Sequence, residues 1–554
     1  MQVPRNFQMF LPPGAEAVRR ALAHYVTEQR WFGGRVRQVV STQVNDLVAL
    51  ASPEGDRSQL ADQYALLFVQ VSYNEGLPEV YALPIAAEKK DDARRANAAA
   101  QTAVLAGHIR PIVTTEHAIY YEPLTEVGFW QTLLACLWQP VQGIHGQIVG
   151  FRTPLWPEGL QAVSAVQPGH AQQTNTAAVL NSGIFVKLFR RLEDGPNPDL
   201  EIGRYLAEHK RFSFVPPVWG GLEYEHADGV RSSIALVQRY LPGALDGWRY
   251  FMDLTVQWLH DAEQTAATVD LRSVSRLHEL WHLAQAFPQD VPKALPPELL
   301  DRAHRLGQVT AWLHQALAAD SDTPDFAPER PAREDMQALV CQVHAACEKA
   351  LALLPRTPRL AAAAALLDDT ALAQVRKLLV RHSQLLLLHA PDGLYLIRCH
   401  GDYHLGQVLH SDGDFYIIDF EGEPARPLHE RRKKQCALRD VAGMVRSFHY
   451  LTSALRLAAH DVLSPAALGL SCAIPLRSDG LLQALYGWLA VAYLAGYRQQ
   501  SAGAIFVPRE PHDWLHLVRL FSLEKAAYEF AYEMNHRPSW VAIPLLGLQL
   551  LAQE

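Results

Sequence analysis

Residues that favour strands crowd three stretches near the start of the chain, Gln38–Leu50, Tyr64–Tyr73 and Glu79–Ile85, which turn clusters such as SPEGD and YNEG separate. A helix from Gly14 to about Glu28 is predicted ahead of them. From Ala96 to Leu155 the pattern is mixed, with a strand expected near His117–Tyr121 and a helix near Gly128–Trp138. Beyond the Pro- and Gln-rich segment Trp156–Asn175, Ala177–Leu180 and Ile184–Phe189 read as a hairpin turned at Asn181-Ser182-Gly183. Asn197 caps a helix that begins at Pro198, and the strand Ser233–Arg239 ends in the breaker Leu241-Pro242-Gly243.

Sequence after this breaker is mostly helical, interrupted by the Pro- and Asp-rich linker Ala319–Glu334, and the alanine run Ala361–Ala365 suits a helix. The plan is α+β and two-lobed, strands first and helices after. Its expected divisions are 1–95 (a helix plus an antiparallel sheet), 96–160, 161–243 and 244–554. The apolar stretch Leu481–Tyr497 is short for a membrane span and carries Gln483 and several aromatics, so it reads as a buried helix.

Composition narrows the picture mainly by exclusion. The 554 residues, 49% of them hydrophobic, suffice for more than one core. A net charge of −8 offers no basic footprint for nucleic acid, so no nucleic-acid partner is expected. Six scattered cysteines suit a reducing compartment, and the N-terminal stretch lacks the order of a signal peptide. A cytoplasmic protein without a membrane partner is expected.

The chemistry concentrates in His400-Gly401-Asp402-Tyr403-His404-Leu405-Gly406-Gln407 and the later Ile417-Ile418-Asp419-Phe420-Glu421. The order is an acid, an amide five residues on, an apolar run and a second acid. Phosphoryl transfer needs one carboxylate to orient an attacking hydroxyl and others to hold a metal on the phosphates. Protein kinases use the same five-residue spacing in the catalytic loop and place the metal-binding Asp beyond the next strands. Asp402 is therefore the expected base, Gln407 a metal ligand and Asp419 the principal Mg²⁺ ligand, with ATP as the phosphoryl donor. Ser411-Asp412-Gly413-Asp414 is the turn between the apolar runs.

Upstream, Lys187 ends an apolar strand and Glu201 follows fourteen residues on in the next helix, an arrangement that orients a cation onto nucleotide phosphates. No glycine-rich loop precedes Lys187. The hairpin must then cover the phosphates with backbone amides and with Thr174, Asn175, Thr176 and Ser182, while Gln238-Arg239-Tyr240 is the expected place for adenine. Two other patterns compete. His278-Glu279-Leu280-Trp281-His282 has zinc-protease spacing without a third ligand downstream, and Cys341-x-x-His344-x-x-Cys347 has helical spacing without a second cluster. Both read as ordinary helix positions.

In their surroundings these motifs become specific. The runs FVKLFRRLEDGPNPDLEIGRYL (185–206) and HGDYHLGQVLHSDGDFYIIDFEGEPARPLHERRKKQCALRDVAGMVRSFHY (400–450) closely resemble maltokinases, including those fused to trehalose synthase. RWFGG (30–34), LGQVTAWLHQALA (306–318), LEKAAYEFAYE (523–533) and RPSWVAIPL (537–545) extend the resemblance over almost the whole chain. It implies a protein-kinase-like, aminoglycoside-phosphotransferase-like bilobal fold. Residues 1–95 would be an α/β cap unit, 96–160 an intermediate subdomain, 161–243 the ATP-binding lobe and 244–554 the helical lobe. The implied reaction converts maltose and ATP to maltose 1-phosphate and ADP in trehalose and glycogen metabolism, with trehalose synthase as a functional partner. The resemblance also implies that Arg439 and Asp440 brace the catalytic loop. It puts His404, Glu421, Arg446, Tyr528, Glu529 and Tyr532 on the substrate side. His449 and Ser539 stand where the family commonly has acidic residues. An aminosugar kinase on the same scaffold, a kinase fold without activity, and a metalloprotease at His278 and His282 are the competing readings.

Overall fold

The computed structural model describes residues 16–50, 64–89, 111–116, 118–160, 162–169, 174–210, 212–264, 274–320, 322–353, 369–388, 391–424, 426–475 and 478–553. The alanine run 361–365, the SPEGD turn, residues 96–110 and His117 lie outside the described residues. The chain divides into two compact units, residues 1–242 and 243–554, at the Pro242-Gly243 breaker.

The first unit is built on two sheets. Helix α1 (Glu16–Glu28) precedes strands β1 (Val39–Leu50), β2 (Tyr64–Tyr73), β3 (Glu79–Lys89), β4 (Val113–Thr114) and β5 (Ala118–Tyr121), which pair antiparallel in the order β1-β2-β3-β5-β4. The second sheet follows helix α2 (Val127–Ala135). Its strands are β6 (Val141–Gln142), β7 (Gln147–Arg152), β8 (Val166–Pro168), β9 (Thr176–Leu180), β10 (Ile184–Leu188), β12 (Val218–Glu225) and β13 (Arg231–Arg239), in the order β6-β7-β12-β13-β10-β9-β8. Between β10 and β12, β11 (Arg191–Leu192) leaves that sheet to pair with β3, and helix α3 (Pro198–Tyr205) packs beyond it. Asn197 caps α3 as expected, its side chain accepting from Asp199 N at 2.9 Å.

The near-continuous apolar run of β2 has a physical cause: the strand is covered on both faces. Successive side chains of a strand point to opposite faces. Leu67, Val69 and Val71 join Val18, Leu22 and Val26 of α1, while Leu66 and Phe68 join Phe129 and Trp130 of α2 and Ile234 and Val237 of the second sheet. A polar clasp accompanies this packing. The carboxylate of Asp46 in β1 is 3% exposed. Its Oδ1 accepts from Leu47 N at 2.7 Å, Ile144 N at 2.9 Å and His145 N at 3.1 Å, and its Oδ2 from Gly146 N at 2.9 Å and from the Tyr224 hydroxyl of β12.

The second unit is helical around a small sheet. Strand β14 (Leu245–Asp246) precedes helices α4 (Gly247–Gln264), α5 (Leu277–Ala286), α6 (Pro297–Leu317), α7 (Arg333–Leu351) and α8 (Asp369–Leu388). Strands β15 (Val408–Ser411) and β16 (Asp414–Ile417) follow, then α9 (Leu438–Ala459), α10 (Asp479–Gln500), α11 (Pro511–His536) and α12 (Ala542–Ala552). Helix α10 contains the apolar stretch 481–497 and is buried all round from Ala484 to Tyr497. Among the described residues, no helix is long and apolar enough to cross a membrane.

The clasp generates a stability test. Asp46→Ala removes the acceptor of five donors, those of Leu47, Gly146 and Tyr224 buried, and should destabilise the protein by about 2–4 kcal/mol, because hydrogen bonds to a charged group and stranded buried donors are both costly. Tyr224→Phe removes one donor only and should cost about 1 kcal/mol. Urea unfolding of both variants checks the ranking; equal costs would contradict it.

Candidate active site

Asp440 fixes the shape of the loop His400–Gln407. Its Oδ2 accepts from His400 N at 2.9 Å and its Oδ1 from Gly401 N at 3.0 Å, while His314 Nε2 of α6 lies 3.0 Å from Oδ2. Burial pushes this carboxyl up, yet His314, His400 and the Gly401 amide outweigh burial and hold it below the ordinary carboxylate value. The expected partnership with Arg439 is not what braces the loop. Neighbouring helix residues point in different directions, and Arg439 turns instead to Glu524 at 2.7 Å. Gly401 adopts φ +83°, a conformation that favours glycine. Gly443 lets α9 press on the loop, since a Cβ there would stand 2.5 Å from Tyr403 O.

The loop runs into the β15–β16 hairpin. His404 Nδ1 accepts from Gly406 N at 3.0 Å, which leaves the ring neutral, and burial pushes its pKa down to about 4. Asp412 (φ 51°) and Gly413 (φ 82°) make the hairpin turn where the sequence put it. Gln407 O accepts from Ile418 N at 3.0 Å, so Gln407 lies across from the segment that leads into Asp419. Asp419 has φ +66°, an uncommon conformation for a residue with a Cβ and the kind of backbone strain that clusters at functional sites. Carboxylate oxygens of Asp419 and Glu421 lie within 4.8 Å of each other. Two carboxylates and an amide oxygen are hard donors of the type Mg²⁺ takes.

The group nearest Asp402 was not anticipated from sequence. Lys525 Nζ of α11 donates to Asp402 Oδ1 at 2.6 Å and lies 3.8 Å from Glu423 Oε1. Among the described residues, Asp402 Oδ2 has no protein hydrogen-bond partner. Burial pushes the Asp402 carboxyl up, but the Lys525 ammonium, with His404 and His400, outweighs it and brings the pKa down to about 2. Burial lowers Lys525 in turn, and Asp402 and Glu423 carry it above its ordinary value. Behind this pair Arg426 joins Glu423 at 2.6 Å to Glu524 at 3.0 Å. One signal could have revealed Lys525: it precedes Tyr528, Glu529 and Tyr532 by three, four and seven residues, the spacing of one helix face.

The substrate-side candidates follow on α11. The Tyr528 ring lies 4.9 Å from Lys525 Nζ and stacks loosely on Tyr532 at 6.4 Å. Glu529 accepts from Arg446 Nη2 at 2.5 Å, and Arg446, 4% exposed, also donates to His449 Nδ1 at 3.1 Å. Burial drives His449 far below its ordinary pKa, and it stands as a neutral acceptor where the resembling family commonly carries an acid.

In the first unit, Lys187 Nζ reaches Asp199 Oδ2 at 2.7 Å. Asp199 thus joins Glu201, the acid expected from sequence, in the first turns of α3, which begins at Pro198. Thr174 and Ser182 are exposed, and Ser182 sits in the turn at φ 55°. Asn175 and Thr176 face inward: Asn175 Oδ1 accepts from Arg190 N at 3.2 Å and Thr176 Oγ1 from Arg190 Nε at 2.7 Å. Arg190, 1% exposed, lies 2.7 Å from Glu122 and over the Trp31 ring at 4.6 Å. The Arg239 and Tyr240 amides already donate to Pro217 O and Gly183 O, both at 2.9 Å, so a purine meeting Gln238–Tyr240 must use other groups of that segment.

The competing motifs lie on helices. His278 and His282 are exposed on α5, and no described trio of metal ligands includes either. Cys347 is buried on α7, and His344 bonds Ser383 at 2.7 Å.

Fold and loop together define a kinase of α+β architecture with an N-terminal sheet unit. Residues 25–120 match the maltokinase N-terminal cap domain. The glucosamine kinase of Streptacidiphilus jiangxiensis is 31% identical over 396 residues, covering 69% of this chain and 72% of that protein. That of Mycolicibacterium smegmatis is 26% identical, covering 71% and 81%. Among solved structures, a glucosamine kinase (crystal form B) superposes with a TM-score of 0.58 at 21% identity, covering 96% of this chain and 99% of that one. The chain belongs to the family of sugar kinases that contains these glucosamine kinases.

The Asp440 brace yields a pH test. Because its folded pKa is depressed, its contribution to stability is present above the unfolded value of about 3.9 and is lost as pH falls through the lower folded value. Asp440→Asn should cost about 2–4 kcal/mol at pH 7, and the gap to wild type should shrink only below about pH 4. Urea titrations at several pH values measure it; a gap unchanged down to pH 3 would contradict the assignment.

Proposed function

We propose that this protein transfers the γ-phosphoryl group of ATP to the anomeric hydroxyl of maltose. The observation that carries the phosphoryl-transfer reading is Asp402, with Oδ1 held by Lys525 and Oδ2 without a protein partner among the described residues. In the step proposed, the acceptor oxygen bonds to the γ-phosphorus as the bond to the ADP oxygen breaks, and the hydroxyl proton passes to Asp402 Oδ2. A carboxylate of such low pKa is a weak base. Phosphoryl transfer through a loose transition state asks mainly for position, and the proton leaves late. The anomeric hydroxyl, the most acidic on the sugar, suits that base. Gln407 and Asp419, with Glu421 beside them, would hold Mg²⁺, which neutralises phosphate charge when bound. Lys187, set by Asp199, would orient the phosphates of ATP, with Glu201 as a further acid nearby and Thr174, Asn175, Thr176 and Ser182 in the covering hairpin.

Two observations support a neutral disaccharide. The cap match covers residues 25–120. Glu423, Glu524 and Glu529 are each already held by an arginine, whereas an amino sugar calls for an uncommitted carboxylate. Tyr528 and Tyr532 then offer ring faces to the second glucose. In this reading the protein works in the cytoplasm beside a trehalose synthase that supplies maltose. Its cap and intermediate subdomain end near residues 95 and 160, its ATP-binding lobe near 243. Glucosamine is the second reading, favoured by the 31% identity to a glucosamine kinase.

Asp402→Asn should lower kcat by about 10²–10⁴-fold while ATP still binds, since an amide cannot take the proton. Steady-state kinetics with calorimetric ATP binding measures both, and more than a tenth of wild-type turnover would refute the base. Substrate choice is tested by offering maltose, glucose and glucosamine side by side. Phosphorus–proton NMR of the product should show phosphate coupled to the anomeric proton of maltose. Phosphate on a 6-hydroxyl, or a large kcat/KM preference for glucosamine, would establish the second reading.

A further inference from the structure

We infer that Lys525 is the positioning residue of the catalytic base: its ammonium fixes Asp402 Oδ1, so that Oδ2 alone is presented to the acceptor hydroxyl. This rests on the phosphoryl-transfer reading of Asp402 and holds for either sugar.

The charges around Asp402 make the assignment specific. Its own loop contributes His400 and His404. The segment after β16 contributes Glu423 with Arg426, α9 contributes Arg439 and Asp440, and α11 contributes Lys525, Glu524 and Tyr528. Asp402, Glu423, Arg439, Glu524 and Lys525 line one cavity with the loop backbone. Each cation other than Lys525 is engaged elsewhere: Arg426 holds Glu423 and Glu524, and Arg439 holds Glu524. Lys525 is the one described cation in ion-pair contact with Asp402. Its contacts also fix its own place, because Asp402 at 2.6 Å, Glu423 at 3.8 Å and the Tyr528 ring at 4.9 Å surround the ammonium. Without it, Asp402 would face Glu423 in a half-buried setting with no cation between them. Both burial and like charge favour the protonated acid, which cannot accept a proton. The free carboxyl would also be able to rotate, presenting either oxygen.

The experiment compares wild type with Lys525→Met, Lys525→Gln and Lys525→Arg, using whichever sugar wild type phosphorylates. In wild type, kcat/KM should stay level down to about pH 5, well above the ordinary carboxylate value. In Lys525→Met and Lys525→Gln an acid limb should appear at least one pH unit higher than any wild-type limb, because a buried, unpaired carboxyl titrates upward. Turnover at pH 7 should fall by roughly 10²-fold, the scale of a misplaced reacting group. KM for ATP should remain within about threefold, as expected when an interaction serves the transition state. Lys525→Arg, which keeps the charge, should return the limb toward its wild-type place. Lost turnover with an unmoved acid limb would overturn the inference in favour of simple packing, as would unchanged turnover. Loss of native circular dichroism in all three variants would do the same, showing a structural residue. A wild-type protein that phosphorylates none of the sugars would instead sink the underlying reading before any variant is compared.

Discussion

A backbone loop that must hold a reactive carboxylate cannot satisfy its own amides, because it belongs to no helix or sheet ladder. In this protein the amides of His400 and Gly401 find their acceptor in Asp440, which α9 carries from forty residues away. That carboxylate is itself affordable in the interior only because His314 answers it from α6, and Tyr497 of α10 answers His314 at 3.0 Å. Three helices thereby converge on two peptide groups. The position of Asp402, the entry into the β15–β16 hairpin and the strained backbone at Asp419 all follow from where that loop is held.

A second layer of charge surrounds the first. Buried ion pairs repay their desolvation poorly unless each charge has several partners. The cluster Asp402, Lys525, Glu423, Arg426, Glu524 and Arg439 meets that demand by sharing: two arginines serve Glu524, and Glu423 stands between a lysine and an arginine. Such a network confers geometry more than stability. It turns α11, which begins more than a hundred residues after the loop, into the wall that fixes the base.

Much of this was legible in the sequence. Strand boundaries in the first unit, the Asn197 cap, the hairpin at Asn181–Gly183 and the turn at Asp412-Gly413 were read within a few residues, because each depends on local turn and capping chemistry. The acid–amide–acid order of Asp402, Gln407 and Asp419 was legible for the same reason: it lies within one continuous segment. Partnerships were harder. Asp199 as a partner of Lys187 was not foreseen, and Arg439 meets Glu524, where adjacency suggested a joint role with Asp440. Lys525 was overlooked because its partner is 123 residues away in sequence. No periodicity on α11 says which loop that helix will face. Charged pairs across such distances are decided by packing, and sequence alone gives only the faces available for it.

Arg190 gives the cap an unexpected kind of ownership. The guanidinium is rooted in the strand-end of the second sheet, yet it is enclosed by Trp31, the Ala82 carbonyl and Glu122 from the cap side. From the very next residue, β11 completes the cap's own sheet. A genetic exchange that replaced residues 25–120 by the corresponding piece of a distant relative would therefore not move a self-contained module. It would take away the Trp31 ring that covers the guanidinium and the strand that β11 pairs with, although Glu122 would stay, so the incoming piece would have to bring its own aromatic and strand edge to the same places. Recombination between such kinases is thus free to vary the loops of the cap but not its seam, and the seam, at Trp31, Ala82, Glu122 and Arg190, is where lineages of this family should change in concert.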